Sequence, residues 1–168
     1  VTELGEGIFF DDTALAKVTL PTNTPALSAF ILKGASKAVV ELPASVKTIE
    51  KYALKDNTAI QKLTLPGSVT AIGDGAMENM TALTDIDFSN AATVPARGDQ
   101  VWAGVDQSKV WLLVPDDLAI QFSDASQWRD FKVDWPSSGH DDLEIDKADQ
   151  LNIRARFNGT VLELCAPG

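Results

Sequence analysis

His140-Asp141-Asp142 places an imidazole beside two carboxylates, and Asp85-Ile86-Asp87 places two more carboxylates one residue apart. Residues of these types bind metals or move protons, so they come first. A zinc or acid–base centre needs roughly three or more converging protein groups. His140 is the single histidine, and no cysteine lies near it. Calcium needs roughly six to eight oxygen ligands, and no EF-hand spacing surrounds Asp85 and Asp87. They read as a solvated acidic patch. Cys165 is the single cysteine and stands between Leu164 and Ala166 with no general base evident in sequence. No internal disulfide can form. Asp11-Asp12 reads as a turn and Asp116-Asp117 as a helix cap. There is no glycine-rich phosphate loop, no Gly-x-Ser-x-Gly and no basic–aromatic groove. The expectation is no enzyme, no cofactor and no metal.

What the spacing does support is a surface. Thr19, Glu41, Thr64, Asp87 and Leu113 recur once per repeat of the pattern described next, flanked by Lys17, Lys62, Asp85 and Trp111. Extended strand faces of repeat proteins bind partners. Trp111 and Leu113 favour contact, because exposed apolar residues mark interaction sites. A solvated polar face, or one covered by the C-terminal segment, is the plain alternative.

The elements that would carry this row come from a repeat. Val40–Leu54 recurs as Leu63–Met77, 23 residues on, with Pro43, Ser45, Val46, Ile49 and Ala53 returning as Pro66, Ser68, Val69, Ile72 and Ala76. Such a period marks a solenoid, in which each unit buries its apolar side by stacking on its neighbours. Upstream, Val18-Thr19-Leu20-Pro21 matches Leu63-Thr64-Leu65-Pro66. Downstream, Ile86 and Phe88 follow, and Val110–Pro115 recovers the pattern after an insertion of three residues. The unit between Pro21 and Pro43 is degenerate, with Lys37 where Ile60 and Leu83 stand later.

Strand side chains alternate, so Val18/Leu20, Val40/Leu42, Leu63/Leu65, Ile86/Phe88 and Leu112/Val114 face the core while the residue between each pair faces out. Proline ends each strand. Val69 and Ile72 turn inward. Gly73 and Gly75 suit a turn with positive φ, and Glu50 and Tyr52 in the earlier copy imply a less strained or different one. The expected fold is a mainly β solenoid of short parallel strands, about four to five turns long.

Residues 1–135 form the solenoid. Within it, 116–133 reads as a C-terminal cap, with Asp116-Asp117 capping a short helix, Leu118, Phe122 and Ala125 on one face, and Trp128 and Phe131 as plugs. Residues 136–142 read as a linker. In 143–168, Asn158-Gly159 signals a hairpin with Ile153 opposite Leu164, Ala155 opposite Leu162, Phe157 opposite Thr160 and Arg154 opposite Glu163. A lone hairpin is marginal in water. This segment therefore docks on the solenoid, pairs with another chain, or begins a truncated module; the oligomeric state stays open.

The net charge is −10. That argues against nucleic acid and anionic membranes, whose recognition rests on basic patches. No apolar run is long enough to span a bilayer. The start, Val1-Thr2-Glu3-Leu4, is not a signal peptide, so export would depend on a signal outside this chain.

The pattern Leu-x-Leu-Pro-x-Ser-Val-x-x-Ile-Gly-x-x-Ala, at Leu63–Ala76, resembles the BspA-like leucine-rich repeat. The family usually places Phe after that alanine, where this chain has Leu54 and Met77. Val110–Pro115 followed by Trp128-Arg129-Asp130-Phe131 is similar to the usual end of such arrays, and 143–165 to a β-rich module that follows them. The resemblance carries over no catalytic residues. It implies a secreted or cell-surface bacterial protein with an adhesion-like role, binding protein or glycan, host matrix among them. A structural spacer or anchoring domain that presents a neighbouring module is the alternative.

Overall fold

The computed structural model describes residues 4–134, 154–157 and 162–165. Two compact units result, Val1–Pro136 and Ser137–Gly168. The first is a parallel β-solenoid of about 5 turns.

One side of each turn is the expected strand: β1 (Lys17–Thr19), β3 (Val39–Glu41), β5 (Lys62–Thr64), β7 (Asp85–Asp87) and β9 (Trp111–Leu113). In each the middle residue is buried. Leu20, Leu65, Phe88 and Val114, just past the strands, are buried too, and Leu42 is half-buried. Alternation alone thus sorts core from surface. Each such Leu, Ile or Phe contributes about 1.5–3 kcal/mol by leaving water.

A second side was not foreseen as strand. β2 (Ala26–Leu27), β4 (Thr48–Ile49), β6 (Ala71–Ile72) and β8 (Ala96–Arg97) pair in parallel in that order. Val69 and Ile72 are buried as expected. Between the two sides the motif's residues bind backbone. The carbonyls of Pro21, Pro43, Pro66 and Pro115 accept from the N–H groups of Thr24, Val46, Val69 and Leu118 at 3.0–3.1 Å. The Ser45 hydroxyl donates to Thr24 O (2.7 Å), and that of Ser68 to Ala44 O (2.7 Å) and Val46 O (2.6 Å). The recurring serine therefore ties each turn to the one before it.

The third side is a row of turns. Phe30, Leu32 and Gly34 donate N–H bonds to Lys51, Ala53 and Lys55, and Tyr52, Leu54 and Asp56 donate to Asp74, Ala76 and Glu78. Tyr52 has φ +55° and Gly75 φ +55°, so the earlier copy makes the same left-handed turn and not a different one. A tyrosine there costs about 1–2 kcal/mol, offset by these inter-turn bonds. Gly73 serves another purpose. A Cβ on it would meet Lys51 N at 2.5 Å, so the position requires close backbone approach.

The degenerate unit is resolved by a local change. Lys37 is exposed and its neighbour Ala38 is fully buried. β3 and β5 are not paired, so the strand face consists of β1–β3 and of β5–β7–β9–β10 in separate sheets. Asn57, buried where Met80 stands one repeat later, bridges the gap. Its Nδ2 donates to Ala35 O (3.1 Å) and Ala38 O (2.6 Å), and its Oδ1 accepts from Ala59 N (3.2 Å) and Ile60 N (3.3 Å).

The cap begins with α1 (Ala119–Asp124) and ends in β10 (Lys132–Asp134), which pairs with β9. Leu118 is the N-cap and no side chain caps the helix, so the capping role expected for Asp116-Asp117 is not met. The Pro115 turn, held by Leu118 N to Pro115 O at 3.1 Å, delays the helix past both aspartates. Trp128 and Phe131 are buried as plugs, edge-on to Trp102 at 5.4 and 5.0 Å. Gln127 ties the cap to the backbone of the preceding turn: its Oε1 accepts from Val101 N (3.0 Å) and its Nε2 donates to Gly98 O (3.2 Å).

In the second unit β11 (Arg154–Phe157) and β12 (Leu162–Cys165) form an antiparallel hairpin. The register sets Ala155 opposite Leu164, Arg156 opposite Glu163 and Phe157 opposite Leu162. This corrects the expected pairing by two residues. A two-residue slip keeps every side chain on its face, because the strand period is two; alternation therefore could not choose between the registers. The expected linker 136–142 and His140 lie outside the described residues.

Candidate functional site

The strand face carries a groove among the described residues. Lys62, Asp85, Ile86, Asp87, Trp111 and Leu113 line a shallow depression of about 300 Å³. The parallel register creates it. Lys62, Asp85 and Trp111 are partners across β5, β7 and β9, and so are Thr64, Asp87 and Leu113. Strand alternation points both rows to the same side. Of the expected site residues, Thr64, Asp87, Trp111 and Leu113 share this four-stranded sheet. Thr19 and Glu41 stand side by side in the separate β1–β3 pair. There Glu41 accepts an ion pair from Lys17 at 3.1 Å, with both side chains well exposed.

Trp111 is the large apolar residue of the groove and is 49% exposed. The Lys132 ammonium, on β10, lies 5.3 Å from the centre of its ring. Asp85 accepts from the Thr84 hydroxyl at 2.7 Å. Asp87 Oδ1 accepts from Ser89 N (3.2 Å) and the Ser89 hydroxyl (2.8 Å). Neither carboxylate is in an ion pair among the described residues, and neither is Lys62. The groove thus offers both hydrogen-bond acceptors and a cationic donor beside an exposed indole.

A second cluster lies on the turn side, where the order of residues along the chain shows no basic–aromatic groove. The Lys33 ammonium stands 5.0 Å from the Phe10 ring centre and 5.8 Å from that of Phe30. Lys51 stands 5.7 Å from Phe30 and Lys55 5.1 Å from Tyr52, while Phe30 and Tyr52 stack at 5.5 Å. Lys55 also pairs with Glu78 at 2.7 Å, and that hydrogen bond raises its pKa above the ordinary 10.5. The signal was present in the alignment of the units: Phe30 and Tyr52 share one repeat position, and Lys33 and Lys55 another.

Among the described residues no three His, Cys, Asp or Glu side chains group as metal ligands. No described helix is long and apolar enough to cross a membrane.

A T. pallidum leucine-rich repeat protein (TpLRR) has a similar solved structure, with TM-score 0.55 and 19% identity over 67% of this chain and 52% of that one. The pneumococcal vaccine antigen PcpA is similar with TM-score 0.59 and 20% identity, over 83% of this chain and 40% of that one. At these identities the likeness shows the fold. The chain spans about half and two fifths of those two proteins. No curated protein matches. Residues 1–97 match the family described as BspA type leucine rich repeat region, in 6 copies. With the Pro-x-Ser-Val motif, the turn ladders and that match over more than half its length, the chain belongs to the BspA-type leucine-rich-repeat family.

Proposed function

We propose that this chain is a non-enzymatic binding module of an exported bacterial surface protein, which contacts a protein or glycan, host matrix included, through its strand face. The role is adhesion-like, and 143–168 belongs to a neighbouring module joined by the segment 136–142. The observation that carries the reading is Trp111, half-exposed on β9 and lining a groove with Lys62, Asp85 and Asp87. An indole left in water beside Leu113 and the charged groups of the groove offers an apolar contact with polar partners around it. Leucine-rich repeats are protein-interaction modules generally, and the two similar structures carry the same fold.

The test is a binding screen of the chain against matrix proteins, mucins and glycans, alongside a Thr64→Arg/Asp87→Arg variant. Specific binding that is lost in the variant supports the strand face. Binding that survives moves the site to the cap or to 143–168. An absence of binding favours the spacer reading, in which the solenoid presents its neighbour.

A further inference from the structure

We propose that the groove of Lys62, Asp85, Asp87 and Trp111 takes a neutral sugar residue of an oligosaccharide. This rests on the strand face being the binding surface and adds the chemical class of the ligand.

Three features of the groove select that class. The first is the ring. Strand order places Lys62 and Asp85 on one side of Trp111 and Lys132 on the other. Lys132 does not line the groove. Its ammonium reaches the ring from β10, and Trp111 remains 49% exposed. The face of an indole carries negative potential. It therefore attracts the polarised C–H bonds on the apolar face of a pyranose.

The second is the mixture of charge: Asp85 and Asp87 stand beside one lining ammonium, Lys62. An acidic ligand would meet two like charges. A neutral polyol can use both signs. Its hydroxyls donate to carboxylates and accept from an ammonium, and hydrogen bonds to ionised groups are the strong ones.

The third is how the carboxylates are already held. Thr84 donates to one oxygen of Asp85, and Ser89 donates twice to one oxygen of Asp87. The other oxygen of each carboxylate accepts no hydrogen bond among the described residues and is available to a ligand hydroxyl. The volume of about 300 Å³ is at the lower end for a small-ligand site, which fits sugar residues.

The experiment is a titration of the isotopically labelled chain with maltotriose, chitotriose and N-acetyllactosamine, and separately with triarginine and triglutamate, read by two-dimensional NMR. The Trp111 indole signal is assigned by its loss in Trp111→Phe. The expected result is that at least one sugar shifts that signal and the β5, β7 and β9 amides with saturation in the millimolar range. Trp111→Ala and Asp85→Asn should each weaken it about tenfold or more while the thermal midpoint stays unchanged. Shifts that persist equally in both variants overturn the proposal. If no sugar shifts these signals but a peptide does, the sugar is wrong and the strand-face reading stands. If neither shifts them and the matrix screen is also negative, both are wrong.

Discussion

Asn57 Nδ2 lies 2.6 Å from the carbonyl oxygen of Ala38, a carbonyl that stands where Ala16 O and Gln61 O accept N–H groups from the next strand. A side chain therefore replaces a ladder bond at the point where β3 and β5 fail to pair. The asparagine sits in a core row beside Ala35 and Met80 with both polar atoms of its side chain engaged, which is the condition for a polar group to be tolerated there.

Asn57→Ala is expected to destabilise the solenoid by about 1–3 kcal/mol, the range for stranding buried carbonyl and N–H groups. Asn57→Asp should cost at least as much, since a carboxylate cannot donate to Ala35 O and Ala38 O. Urea unfolding measures both as a lower midpoint at unchanged slope.

Trp128→Ala should cost about 3–5 kcal/mol, as for other buried large aromatics. Trp128 is 1% exposed and contacts the rings of Phe88, Trp102, Phe122 and Phe131. Thermal unfolding followed by calorimetry reads the loss. A cost near zero would mean that the cap does not seal the last turn.

Gly73→Ala should destabilise by about 1–3 kcal/mol through overpacking, because the new methyl would press on the backbone of Glu50 and Lys51. Hydrogen exchange locates the effect: Tyr52 and Gly73 amides should lose protection before those of β9.

Glu78→Gln removes the partner of Lys55, whose side chain is 22% exposed. The loss at neutral pH should be about 0.2–1 kcal/mol. Lys55 has its pKa raised in the folded chain, chiefly by the hydrogen bond from its ammonium to Glu78, so the folded state favours the charged form. This stabilisation is complete below the ordinary lysine value of 10.5 and is lost as pH rises through the higher folded value. The difference between the two proteins should accordingly close in strongly alkaline solution, as measured by urea midpoints across pH.

The repeat was legible because its causes are local. Pro66, Ser68, Val69, Ile72 and Ala76 return at a fixed interval, and strand alternation assigns Leu63 and Leu65 to the core and Thr64 to solvent without knowledge of the rest of the chain. The same reasoning placed Asp85, Asp87, Trp111 and Leu113 on one face. Other features depend on what lies one turn away. Tyr52 adopts a left-handed turn because Asp74 and Ala76 in the next coil bind the backbone around it. The gap between β3 and β5, the lysine–aromatic ladder, the second strand row and the groove itself are inter-turn relationships. The sequence by itself determined the family of fold and which residues face solvent, since period and alternation follow from backbone geometry. Only the tertiary structure decided which exposed residues converge, because register across turns, more than order along the chain, brings Lys62, Asp85 and Trp111 into line.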